Sequence, residues 1–121
     1  MNEGDLQART KKFALRVMKL VDALPRTPSG RVIANQLARA ACRGRSRAEF
    51  ISKLGNVEEE ADECALWMEL AMEGGLVGTK KTQPLHDEAT QLTAIMAASR
   101  ITATRNKPIA NRKSKIANRK N

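Results

Sequence analysis

One apolar stripe restricts this chain more than any other feature. Phe50, Leu54, Val57, Ala61, Cys64, Met68 and Ala71 follow one another at alternating spacings of four and three. That period puts all seven on one face of a helix and scatters them over both faces of a strand. Upstream, Ser46-Arg47-Ala48-Glu49 reads as a capping box, in which Ser46 and Glu49 satisfy each other's backbone donors. Downstream, Gly74-Gly75 is a C-terminal glycine stop. A long amphipathic helix between these signals must find other helices to cover its stripe.

Three further segments offer that cover. From about Asp5 to Leu24, Leu6, Phe13, Val17, Leu20 and Leu24 share one face, with Arg9, Lys12, Arg16 and Lys19 off it. Pro25 ends that helix, and Thr27-Pro28 starts the next with a capping hydroxyl and a proline at the first helical position. This second helix turns Val32, Ile33, Gln36, Leu37, Ala40 and Ala41 inward, keeps Arg31 and Arg39 at its edges, and frays near Gly44. A fourth runs from about Pro84 to Thr104, with Leu85, Ala89, Leu92, Met96 and Ser99 on its inner face and Asp87 and Glu88 suited to its first turn. Short Pro or Gly turns and no alternating strand pattern predict an all-α chain, an up-and-down four-helix bundle over residues 1–105.

The helices are unequal. At 1.5 Å per residue the third spans roughly 40 Å and the second only about 22 Å. Part of the third helix's stripe then lacks a neighbour from its own chain. Leu66, Trp67 and Leu70 add apolar surface beside it, predicting a homo-oligomer interface there.

Charge divides the 121 residues sharply. The net charge is +9, yet residues 100–121 hold eight Lys or Arg and no acid, leaving residues 1–99 nearly neutral. Within that body, Arg26 to Arg47 contains six arginines and no acid, whereas Glu49 to Glu73 contains eight acids and only Lys53. Beyond Pro108, Ile109-Ala110-Asn111-Arg112-Lys113 recurs as Ile116-Ala117-Asn118-Arg119-Lys120. Each copy brings one large apolar residue, too little to offset about 1–2 kcal/mol of backbone ordering per residue. Residues 106–121 therefore read as a disordered basic tail.

Catalysis finds little footing. The acidic run Glu58, Glu59, Glu60, Asp62 and Glu63 lacks the Glu-x-x-His pairs of a bundle metal site, and His86, the single histidine, has no acid in register with it and reads as solvent-facing. No metal, cofactor or catalytic residue is expected. Glu59 and Glu63 can instead pair with arginines of the second helix or of another subunit. Cys42, beside Arg43 and Arg45, is a conceivable reactive thiol but reads more simply as a small residue at a helix end; Cys64 is a packing residue. Two cysteines, no secretory segment and no apolar run above five residues predict a cytoplasmic protein with no membrane span.

The positive feature is basic. Arg39, Arg43, Arg45 and Arg47, with Arg105, Lys107, Arg112, Lys113, Lys115, Arg119 and Lys120, suit phosphate. With no Tyr and one Trp on a helix face, the chain has no platform for stacking bases. Nonspecific RNA or DNA binding by a non-catalytic bundle is the expectation; the alternative is a protein-interaction module with no nucleic-acid role.

The run Ala41-Cys42-Arg43-Gly44-Arg45-Ser46-Arg47-Ala48-Glu49-Phe50-Ile51-Ser52-Lys53-Leu54-Gly55, continuing through Val57 to Glu63 and Trp67-Met68-Glu69-Leu70, resembles the four-helix-bundle family named after intervening sequences in 23S ribosomal RNA genes. Leu24-Pro25-Arg26-Thr27-Pro28 and Ile33-Ala34-Asn35-Gln36-Leu37 are similar too, extending the resemblance over about residues 10 to 100. It implies small up-and-down bundles that assemble into pentameric rings with no assigned catalytic residues. It also implies kinship with accessory proteins of diversity-generating retroelements, whose basic surface engages nucleic acid and a reverse transcriptase. One departure stands out: only Ala38-Arg39-Ala40 separates Leu37 from Ala41. The family carries roughly ten more residues there, about three helical turns, so the second helix is shortened.

Overall fold

The computed structural model describes residues 3–42 and 54–105. Among the described residues the chain forms four α-helices and no strand: α1 (Glu3–Ala23), α2 (Pro28–Cys42), α3 (Leu54–Glu73) and α4 (Thr79–Arg105). Contacts run α1–α2, α2–α3, α3–α4 and α4–α1, with none across either diagonal among the described residues. A small void of about 30 Å³ brings together Phe13 and Ala14 at the middle of α1, Ala40 and Ala41 at the end of α2, Val57 and Ala61 near the start of α3, and Leu92 and Met96 around the middle of α4. Lys19, Leu20 and Ala23 at the end of α1 line a cleft with Lys81, Thr82 and Leu85 at the start of α4. Successive helices therefore run antiparallel, as in an up-and-down bundle.

Local chemistry explains the boundaries. Thr27 caps α2 as expected, its Oγ1 accepting from the Gly30 N–H at 3.2 Å while its carbonyl accepts from Arg31 N at 2.9 Å. Gly30 is required here, because a Cβ at this position would lie 2.0 Å from the Pro25 carbonyl oxygen. At the end of α3, Gly75 takes φ 70°, Leu76 N donates to the Ala71 carbonyl and Gly75 N to that of Met72. This is a Schellman closure, and Gly-Gly provides it without Cβ strain. The capping box at Ser46 and Glu49, Phe50, and the tail 106–121 lie outside the described residues.

The core follows the predicted stripes. Leu6, Phe13, Val17 and Leu24 of α1 are buried, with Ile33, Leu37, Ala40 and Ala41 of α2, Val57, Ala61, Cys64, Met68 and Ala71 of α3, and Leu85, Ala89, Leu92 and Met96 of α4. Two expectations fail. Val32 is 54% exposed, because the turn of α2 that carries it points its neighbour Ile33 at the core instead. Helix α4 begins at Thr79, with Gly78 at its N-cap, and passes straight through Pro84. Burial of Thr82 and Leu85 fixes that first stretch, and Pro84 and Lys80 are both exposed, so the carbonyl robbed of its donor sits where water can serve it. Asp87 and Glu88 consequently lie beyond the first turn and take other roles.

Candidate nucleic-acid interface

Antiparallel packing points the ends of α2 and α4 the same way, but α2 stops level with Phe13 and Met96 and α4 runs on to Arg105, roughly 13 Å further at 1.5 Å per residue. Arg39, in the last turn of α2, is exposed, and Arg105 closes α4. Arg43, Arg45, Arg47, Lys107, Arg112, Lys113, Lys115, Arg119 and Lys120 lie outside the described residues. In the sequence, residues 43–47 follow α2 and residues 106–121 follow α4.

The structure adds cations that the sequence reading passed over. The outward side of α1 exposes Lys11, Lys12 and Lys19, and α2 exposes Arg31. At the opposite pole, Arg16, Lys19 and Lys81 stand around a cleft of about 540 Å³ floored by Leu20, Leu76, Val77 and Leu85. The signal for the α1 lysines was present in their position off the apolar face.

Helix α3 is the acidic counterpart. Leu66 and Leu70 are 50% and 43% exposed, in line with Glu59, Asp62, Glu69 and Glu73, which are also exposed. Trp67 differs from the two leucines: it packs against the core, and its Nε1 donates to Glu63 Oε1 at 3.3 Å. Its ring is thus committed to the bundle.

His86 is not solvent-facing. Because α4 starts early, His86 lies in its second turn with its side chain only 16% exposed. Its Nε2 lies 2.7 Å from Glu69 Oε1 of α3, while Nδ1 faces Gln83 Nε2 at 3.3 Å. A carboxylate only accepts, so Nε2 donates and Nδ1 accepts from the amide. The acid missing in sequence register is supplied by the neighbouring helix. Among the described residues no group of three or more His, Cys, Asp or Glu could hold a metal ion. Burial pushes the Cys64 thiol up to about 12, with Glu63 and Glu60 adding to the effect.

Arg9 ties α1 to α4. Its Nε donates to Glu88 Oε2 at 2.8 Å, and its Nη2 to Glu88 Oε1 at 2.6 Å and Gln91 Oε1 at 2.9 Å. These bonds hold the Glu88 carboxyl below the usual carboxylate range, against the opposing effect of burial.

No helix among the described residues is long and apolar enough to cross a membrane. Comparison of the chain with protein-family models, curated proteins and solved structures finds no match.

Proposed function

We propose that this protein is a non-catalytic, self-associating helical bundle that holds RNA or DNA through its basic segments. The observation that carries this reading is that α2 and α4 run the same way, so that the acid-free basic stretch ending α2 and the one following α4 leave the bundle in the same direction. Several cations converging on one region can neutralise several phosphates of one strand, and each releases counterions. Recognition is by charge: the chain has no Tyr, and among the described residues Phe13 is buried and Trp67 is engaged in the bundle. The resemblance carried by residues 41–55 supports membership in the family named after 23S ribosomal RNA intervening sequences. It also supports a ring assembly and an accessory role beside a reverse-transcriptase-like protein; the cysteine usage supports a cytoplasmic location. The second reading, a protein-interaction module, draws on exposed Leu66 and Leu70, with Trp67 beside them.

Light-scattering mass on the full chain and on a chain ending at Asn106, with and without a generic RNA at two salt concentrations, tests this. Nucleic-acid binding requires an RNA-dependent mass shift that weakens steeply with salt, with a log–log slope of roughly −0.9 per phosphate engaged on a duplex and −0.7 on a single strand. The shift must also weaken without the tail. A mass that ignores RNA at both salts overturns it in favour of the protein-interaction module.

A further inference from the structure

Two outward faces of this bundle complement each other and point in opposite directions. On α3, Glu59, Asp62, Leu66, Glu69, Leu70 and Glu73 recur at helical spacing on the side away from the core, all exposed, with no cation among them. On α1 the corresponding outward line is Lys11, Lys12, Leu15 and Lys19, all exposed, with exposed Asp5 and Asp22 at its two ends and Leu15 at 54%. One line is acidic around two leucines, the other basic around one. Because α1 and α3 are diagonal partners whose backbones make no close approach among the described residues, the two lines lie on opposite sides of the molecule.

We infer that copies of this chain dock head to tail, the acidic leucine line of α3 in one copy lying on the basic leucine line of α1 in the next. The inference rests on the self-association proposed above and names its surfaces. Exposed leucines flanked by one sign of charge favour a partner with apolar residues flanked by the other sign, and reject their own kind by like-charge repulsion. A face that is complementary to a different face of the same molecule makes a heterologous contact. Such contacts propagate into chains or close into rings, and do not stop at a two-fold dimer. A contact between two single helices is at the small end of stable interfaces, so assembly depends on concentration and weakens as salt screens the charges.

The test uses two full-length variants whose changes are all at exposed positions: Leu66→Lys with Leu70→Lys, and Lys12→Glu with Lys19→Glu. Helical circular dichroism matching the unmodified chain establishes that each folds, and a Lys12→Arg, Lys19→Arg chain serves as the charge-preserving control. The unmodified chain and the control should show a light-scattering mass well above the monomer at about 50 mM salt, falling at about 500 mM. Each charge-altered variant alone should run as a monomer. An equimolar mixture of the two should form a one-to-one dimer and grow no further, since it contains only one intact pair of faces. If the unmodified chain assembles and either variant assembles equally well, the docking surfaces are refuted while self-association stands. A mixture that stays monomeric likewise refutes the pairing of these two faces. An unmodified chain that is monomeric at every salt and concentration overturns self-association itself, and this inference with it.

Discussion

Helix α4 is held differently on its two sides. Toward α3 it makes the most extensive contact in the bundle, and toward α1 the least extensive. The α3 side combines Met68, Ala71, Leu85 and Ala89, all buried, with the His86–Glu69 bond. On the α1 side the specific tie is Arg9, forked onto Glu88 and reaching Gln91. Small residues allow α3 and α4 to approach along their length, whereas a long guanidinium bridges a wider seam. The first is dominated by buried packing, and the second by a charge-assisted bond.

The largest effect belongs to the packed side. Met68→Ala removes a fully buried side chain and should cost about 2–5 kcal/mol in urea unfolding; a cost below 1 kcal/mol would break the contrast. The same burial should make Cys64 inert. In a Cys42→Ser background, a thiol held near 12 should react with a disulfide reagent at pH 8 slower than a free thiol by on the order of a thousandfold, and recover the ordinary rate on unfolding.

The polar side should yield a smaller and pH-dependent loss. Arg9→Met should cost about 1–3 kcal/mol near neutral pH, since it strips a partly buried carboxylate of its donors. Glu88 is held below its ordinary value, so its contribution is present above the unfolded carboxyl range and is lost as pH falls through the folded value. The gap between the unmodified chain and Arg9→Met should therefore be full at pH 7 and close in acid. A gap that is constant with pH would assign the loss to packing of the Arg9 stem. Smallest of all, Leu66→Ser on the outward face of α3 should leave monomer stability within about 0.5 kcal/mol, measured at a salt concentration where assembly is absent.

The fold was legible wherever one periodic signal dominated. Alternating spacings of four and three located Val57, Ala61, Cys64, Met68 and Ala71 on the core face of α3, and Gly74-Gly75 marked its closure. Thr27-Pro28 located the start of α2 just as clearly. Proline misled at Pro84, where a plausible first-turn proline proved to lie inside a helix that begins at Thr79. That shift moved His86, Asp87 and Glu88 out of the first turn, so their roles were misread together. Arg9 was legible only as a residue off the apolar face; its partner is 79 positions away. The basic stretches were plain in the composition.

What the sequence determined by itself is the set of helices and the face each buries, because a period near 3.6 residues fixes both through local geometry. It also showed the charge that the outward faces of α1 and α3 carry, since Lys11, Lys12 and Lys19 and Glu59, Asp62, Glu69 and Glu73 stand off the apolar spacing. Only the tertiary structure decided which helices are neighbours and which are diagonal. That choice set α1 and α3 on opposite sides, carried α4 through Pro84, and brought Glu69 to His86 and Arg9 to Glu88. Each of these depends on contacts between residues far apart in the chain, whose free energy outweighs local preference and leaves no trace in local spacing.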